Sequence, residues 1–143
     1  MGVSGSGLYL LDTNITGYII SGRSLSARGA LKQALEESRV AISAVTEAEI
    51  LYGLELKPEA RRLRASVERL FKVIEVQAWD SAAALAYSRL RSRLRAAGKT
   101  LSGMDLMIAA HALAMEAILV THDNAFQNVL PYLAVVDWAS DLK

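Results

Sequence analysis

The sequence predicts a three-layer α/β domain: a central, mostly parallel sheet of four to five short strands flanked by helices. Three observations predict it. Short, largely apolar runs recur at 8–11, 40–43, 73–76, 118–121 and 134–136, too brief for helices and consistent with strands buried on both faces. Segments of helical periodicity lie between them, and parallel strands need such crossovers. Finally, 143 residues that are 52% hydrophobic and 22% charged suit one compact core and are too apolar for a disordered chain.

Each element has its own signal. Leu8-Tyr-Leu-Leu11 is the first strand and ends at Asp12; Thr13 or Asn14 then caps a helix to about Ser21, which Gly22 breaks. Ser24 to Glu37 carries Leu25, Arg28, Leu31 and Leu35 at helical spacing. Val40-Ala-Ile-Ser43 is the second strand, followed by a helical segment from Ala44 to Leu56 and another opening at Pro58, a good first-turn residue. Val73-Ile-Glu-Val76 is the third strand. Asp80 caps a long helix to about Ala97, closed by Gly98. Ser102 opens a helix through about Glu116 that is apolar nearly all round and therefore buried. Ile118-Leu-Val-Thr121 is the fourth strand, Asn124 to Val129 a short helix, and Ala134-Val-Val136 the last strand. The domain spans 8–139, with 1–7 a flexible N-terminal extension and 140–143 a polar tail.

Composition excludes several classes of function. There is no cysteine, which removes disulfide scaffolds, thiolate zinc sites and cysteine nucleophiles and makes the cytoplasm the expected compartment. Residues 1–7 have neither the basic nor the apolar region of a secretory signal. The stretch Leu106 to Val120 is interrupted by His111 and Glu116 and falls short of the roughly 20 residues that span a bilayer, so no membrane association is expected. No glycine-rich phosphate loop and no Ser-His-Asp set is present. Net charge is +1, but Lys57 to Arg95 holds ten Lys/Arg against four acids, +6, leaving −5 elsewhere. A basic segment of this kind either follows a polyanion or forms solvated helix faces.

Open parallel sheets bind ligands at the carboxyl ends of their strands. Asp12 and Asp123 lie just after the first and fourth strands, and further acids, Glu47, Glu49 and Asp105, occupy unusually apolar helical segments. Each has a capping explanation: Asp12-Thr-Asn14 before the first helix, Thr46-Glu-Ala-Glu49 and Ser102-Gly-Met-Asp105 as capping boxes. Carboxylates brought together in a low-dielectric pocket stay ionised only with a compensating cation. Oxygen donors without cysteine or a His-x-x-x-His pair suit Mg²⁺ or Mn²⁺ over Zn²⁺, and such an ion favours phosphodiester hydrolysis. His111, inside the buried helix, is read as a hydrogen-bonded core residue. His122 has no identifiable partner, and Trp79 and Trp138 are read as packing.

Leu10-Leu-Asp-Thr-Asn14, Ile42-Ser-Ala-Val-Thr-Glu-Ala-Glu-Ile-Leu-Tyr-Gly53, Gly103-Met-Asp-Leu-Met-Ile-Ala-Ala-His-Ala112 and Leu119-Val-Thr-His-Asp123 resemble, in order, the blocks of PIN-domain ribonucleases, and in particular VapC toxins of type II toxin–antitoxin pairs. The resemblance runs from about Tyr9 to Trp138. It implies a PIN-like fold and four catalytic acids, Asp12, Glu49, Asp105 and Asp123, with Asp12 and Asp105 as Mg²⁺ ligands. Apolar spacing alone does not separate Glu49 from Glu47; the match to Glu-Ile-Leu-Tyr-Gly53 selects Glu49. Thr13, Asn14 and Thr121 match small polar positions lining the site. The resemblance further implies a metal-dependent endoribonuclease leaving a 5′-phosphate and 3′-hydroxyl on structured RNA, with tRNA, specifically initiator tRNA, as the nearest target class. A homodimer and a cognate VapB-type antitoxin, whose C-terminal segment covers the acidic groove, complete the implied assembly.

Two other classes compete. A nuclease-inactive PIN-fold RNA-binding or regulatory protein would keep the fold without turnover, but all four acidic positions are filled. A phosphatase or DNA nuclease on a similar sheet would use the same metal chemistry, but no Asp-x-Asp motif follows the first strand. Cleavage of RNA, cleavage of DNA and release of phosphate from small esters separate the three.

Overall fold

The computed structural model describes residues 7–143. Of the expected extension at 1–7, all but Gly7 lies outside them. Five parallel strands form one sheet: β1 (Leu8–Leu11), β2 (Arg39–Ser43), β3 (Glu75–Gln77), β4 (Ile118–Val120) and β5 (Val135–Val136), in the order β3-β2-β1-β4-β5. Six helices flank it: α1 (Thr13–Ser21), α2 (Leu25–Glu37), α3 (Ala44–Glu55), α4 (Arg61–Val73), α5 (Ser81–Ala96) and α6 (Gly103–Ala114), with a 3₁₀ turn at Asn124–Val129. No described helix is long and apolar enough to cross a membrane.

Both faces of the sheet are covered, which explains the continuous apolar runs. On β1, Leu10 packs with Ala41, Leu90, Ile108, Leu119 and Phe126, while its neighbour Leu11 packs with Ile15, Ile42, Val67 and Val120. The order in which strands are added reverses at β1, which has β2 on one side and β4 on the other. That switch point is where an open α/β sheet forms a crevice.

Several boundaries differ from the sequence expectation. Asp12, rather than Thr13 or Asn14, is the N-cap of α1, its side chain accepting from Ile15 N at 2.8 Å. Pro58 does not open a helix. It sits second in a turn closed by Ala60 N donating to Lys57 O at 3.0 Å, a position for which its fixed φ is equally suited, and α4 starts at Arg61. The third strand begins two residues late because α4 runs through Val73 and Ile74 N still donates to Leu70 O. The turns at Gly22 and Gly98 do need glycine, with φ of 75° and 70°. The polar tail is tied down: the Asp141 carboxylate accepts from Ser24 Oγ at 2.6 Å, Ser26 Oγ at 2.7 Å and Leu25 N at 3.0 Å, across the start of α2.

Candidate active site

β1 and β4 are hydrogen-bonded neighbours, so the residues leaving their carboxyl ends emerge side by side. Asp12 N donates to Val120 O at 3.0 Å and extends the ladder one residue past the strand. The Asp12 side chain is 2% exposed. Burial above all, with Asp105 and Asp123 repelling it, pushes its carboxyl up to about 6, while the Thr121 hydroxyl and Ile15 N–H oppose the rise.

The other acids arrive from three directions. Asp105 sits in the first turn of α6, its N–H donating to the Ser102 hydroxyl at 3.4 Å. Burial raises its carboxyl, and Asp123 and Glu49 raise it further. Asp123 follows β4 and caps the 3₁₀ turn by accepting from Ala125 N at 2.9 Å; its own N–H donates to Thr121 Oγ1 at 3.0 Å. Glu49 projects from α3, where its Oε1 accepts from the Thr13 hydroxyl at 2.5 Å. The structure therefore brings Asp12, Asp105 and Asp123 within electrostatic reach of one another, and Glu49 within reach of Asp105.

This arrangement sorts the capping explanations. Asp12 and Asp123 cap helical turns and also belong to the acidic group, so the two roles coexist. The box at Thr46-Glu-Ala-Glu49 does not form, because Ser43 is the N-cap of α3 and Thr46 is already inside the helix. Glu49 is thereby released toward Thr13, and among the described residues Glu47 makes no side-chain hydrogen bond. Thr13 and Thr121 line the group. Asn14 is exposed in the first turn of α1 and makes no hydrogen bond to it among the described residues.

The donor set is all oxygen, and a hard cation would offset the burial and repulsion that disfavour the charged Asp12 carboxylate. Among the described residues no three acidic or histidine side chains crowd closely enough to enclose an ion unaided. Magnesium suits such an open arrangement, since it retains several waters and takes one or two carboxylates directly.

Both histidines acquire partners. His111 is 2% exposed, with Nδ1 hydrogen-bonded to Ser43 Oγ at 2.8 Å, and burial lowers its pKa; it is the expected core histidine. His122 pairs through Nδ1 with Asp137 Oδ2 at 2.8 Å, a contact that raises its pKa, and meets Tyr18 edge-on at 6.2 Å between centroids. Sequence reasoning missed Asp137. It follows β5, so the strand-end rule that found Asp12 and Asp123 applies to it equally. Trp79 donates from Nε1 to Met107 O at 2.9 Å and Trp138 packs on Tyr9 at 5.2 Å, both as packing residues.

The PIN domain family matches residues 9–129, which include all four acids. The chain is 31% identical over 131 residues to the tRNA(fMet)-specific endonuclease VapC of Shigella flexneri, covering 92% of this chain and 98% of that protein. The chain belongs to the VapC family of PIN-domain ribonucleases. It is also 28% identical to Ribonuclease VapC2 of Rickettsia felis, with the same coverage. Among solved structures, VapBC2 from Rickettsia felis bound to a DNA fragment from its promoter superposes with a TM-score of 0.85 at 28% identity, covering 92% of this chain and 98% of that one. DNA-bound VapBC from Salmonella typhimurium gives 0.83 at 28% identity with the same coverage. For a VapC-family chain the acidic crevice at the switch point is thus the candidate nuclease centre.

Proposed function

We propose that this nuclease is the toxin of a VapBC-type toxin–antitoxin module: a Mg²⁺-dependent endoribonuclease, with Mn²⁺ substituting, that cuts phosphodiester bonds in structured cytoplasmic RNA and so inhibits translation. Initiator tRNA is the proposed substrate. The observation that supports the reading is that Asp12 and Asp123 follow the adjacent strands β1 and β4 and, with Asp105, repel one another, while Glu49 reaches Asp105.

Asp12 and Asp105 would hold the ion, with Glu49 and Asp123 completing the catalytic set. A bound divalent cation supplies polarisation of a phosphoryl oxygen and an activated water near neutral pH. The chain's own groups set the geometry. Ile15 N–H fixes Asp12 Oδ1, the Thr13 hydroxyl fixes Glu49, and Thr121 Oγ1 accepts from Asp123 N. The carboxylates of Asp12 and Glu49 are thus each oriented by a hydrogen bond, and that of Asp123 by one from Ala125 N.

A cavity of about 260 Å³ borders Glu49 and is walled by Gly17, Ile20, Ile50, Leu54 and Leu63 from α1, α3 and α4. It supports the reading that an antitoxin segment covers the acidic crevice by anchoring apolar side chains beside it. Leu51 and Tyr52 on α3, 45% and 65% exposed, support burial against a second copy of the chain.

The test is to incubate the purified chain with tRNA and with DNA in Mg²⁺ or Mn²⁺, with and without EDTA, and to sequence RNA 5′ ends after brief expression in a host lacking the antitoxin. The expected result is metal-dependent cleavage of RNA alone, lost in Asp12→Asn and Asp105→Asn, with 5′-phosphate ends at one RNA. Cleavage that survives EDTA or both substitutions overturns the proposal.

A further inference from the structure

A second cavity lies apart from the one that borders Glu49. It has a volume of about 410 Å³ and sits where α5 turns into α6. Its walls carry Arg91, Arg95 and Lys99, and its floor is formed by Leu94 and Leu106. Leu106 directly follows Asp105 on α6, so the hollow borders the same helix start that carries Asp105.

The hollow is cationic without internal compensation. Among the described residues the ion pairs are Arg39 with Glu75 and His122 with Asp137, and none involves Arg91, Arg95 or Lys99. Like charges placed around one concave surface repel, and a polyanion is the partner that relieves them. The hollow is also held in shape. Arg91 donates to the Tyr87 hydroxyl at 3.1 Å and lies over the Tyr87 ring at 5.9 Å. Lys99 N donates to Leu94 O at 2.8 Å around the left-handed Gly98, and Asn128 Nδ2 donates to Thr100 O at 2.9 Å. Arg93, on the same helix, does not line the hollow and lies over Tyr132 at 5.4 Å. The basic segment seen in the sequence is therefore not one uniform face; two of its cations, Arg91 and Arg95 of α5, join Lys99 of the following turn in one recess.

We propose that this recess is a second RNA-binding site, in which Arg91, Arg95 and Lys99 hold backbone phosphates of the substrate away from the cleaved bond and set which stretch of RNA reaches the acidic crevice. The inference rests on the ribonuclease reading and adds to it a site for the RNA that flanks the cut. Contacts of this kind to phosphate position a nucleic acid without reading its sequence.

The test is binding of fluorescein-labelled bulk bacterial tRNA to the full chain in EDTA, followed by anisotropy across a salt series. Each phosphate contact contributes about 0.7 to about 0.9 to the slope of log binding constant against log salt. The double variant Arg95→Gln, Lys99→Gln is expected to flatten that slope by roughly 1.4 or more, while Arg95→Lys keeps it. Arg61→Gln, Arg62→Gln removes the same charge from the exposed start of α4 and is expected to flatten it by less than half as much. All four substituted residues are exposed, so melting temperatures should match the parent. An unchanged slope in the recess variant, or an equal change in the α4 variant, overturns the second site while leaving the nuclease reading intact. If the unsubstituted chain neither cleaves nor binds RNA, the nuclease reading falls first and the recess with it.

Discussion

Ser43 serves two buried groups at once: its hydroxyl meets His111 Nδ1 at 2.8 Å and accepts from Val45 N at 3.1 Å to cap α3. Ser43→Ala strands both, and loss of a buried partner costs about 1–3 kcal/mol, which urea denaturation reads directly. Asp12→Asn works in the opposite direction. The amide oxygen can still accept from Ile15 N, but a buried charge repelled by Asp105 and Asp123 is gone, so the metal-free variant should melt at the parental temperature or above it while cleavage is lost. Unfolding of this variant would show that the cap, not the acidic cluster, is the residue's main role. Asp12 and Asp123 were legible because a strand end is visible as the last apolar position of a short run. Glu49 was not separable from Glu47 on spacing, since both sit among apolar helical neighbours and only the real start of α3 at Ser43 decides which one turns toward Thr13. Asp137 and Asp141 act through contacts 15 and more than 100 residues away, which local pattern does not encode.

At the scale of elements, β1 is the strand whose two faces matter most. Leu10 and Leu11 are both fully buried, in clusters on opposite sides of the sheet. Leu10→Ala and Leu11→Ala should each cost about 2–5 kcal/mol, whereas Val136→Ala on the edge strand β5, 36% exposed, should cost far less. Comparable losses at all three would mean the sheet is not closed by helices on both sides. Strand identity was legible from such apolar runs, but the run at 73–76 supplies the last turn of α4 as well as β3, and composition cannot say where one ends. The tail adds a pH-dependent clasp. Hydrogen bonds from Ser24 and Ser26 lower the Asp141 carboxyl to about 2. A folded pKa below the unfolded value of about 3.9 means the clasp contributes fully above that pH and is lost as pH falls toward 2. Asp141→Asn should therefore lower the melting temperature at pH 7, with the gap to the parent closing on acidification; a gap independent of pH would exclude the charged clasp.

For the whole molecule, the sheet order places one acidic crevice at the switch point and leaves the cations of α4 and α5 on separate helices around it. The charge asymmetry was legible in the sequence; its division into a recess at Arg91, Arg95 and Lys99 and a dispersed face on α4 required the packing of α5 on α6. The same architecture ties metal affinity to global stability. Asp12 after β1, Asp105 on α6 and Asp123 after β4 repel one another across the elements that carry them, with Glu49 of α3 adding to the repulsion on Asp105, so an ion held by Asp12 and Asp105 would stabilise the folded state and not the unfolded chain. At about a hundredfold excess over its Kd, one bound ion adds about 2.7 kcal/mol, which for a domain of this size raises the melting temperature by roughly 10 °C. Titrating Mn²⁺ into the EDTA-treated protein during thermal unfolding should show that rise. Asp12→Asn and Asp105→Asn should begin from equal or higher melting temperatures and gain much less, because each removes both a repulsion and a ligand. If Mn²⁺ raises the parent and both variants equally, the ion binds elsewhere and the crevice is not its site.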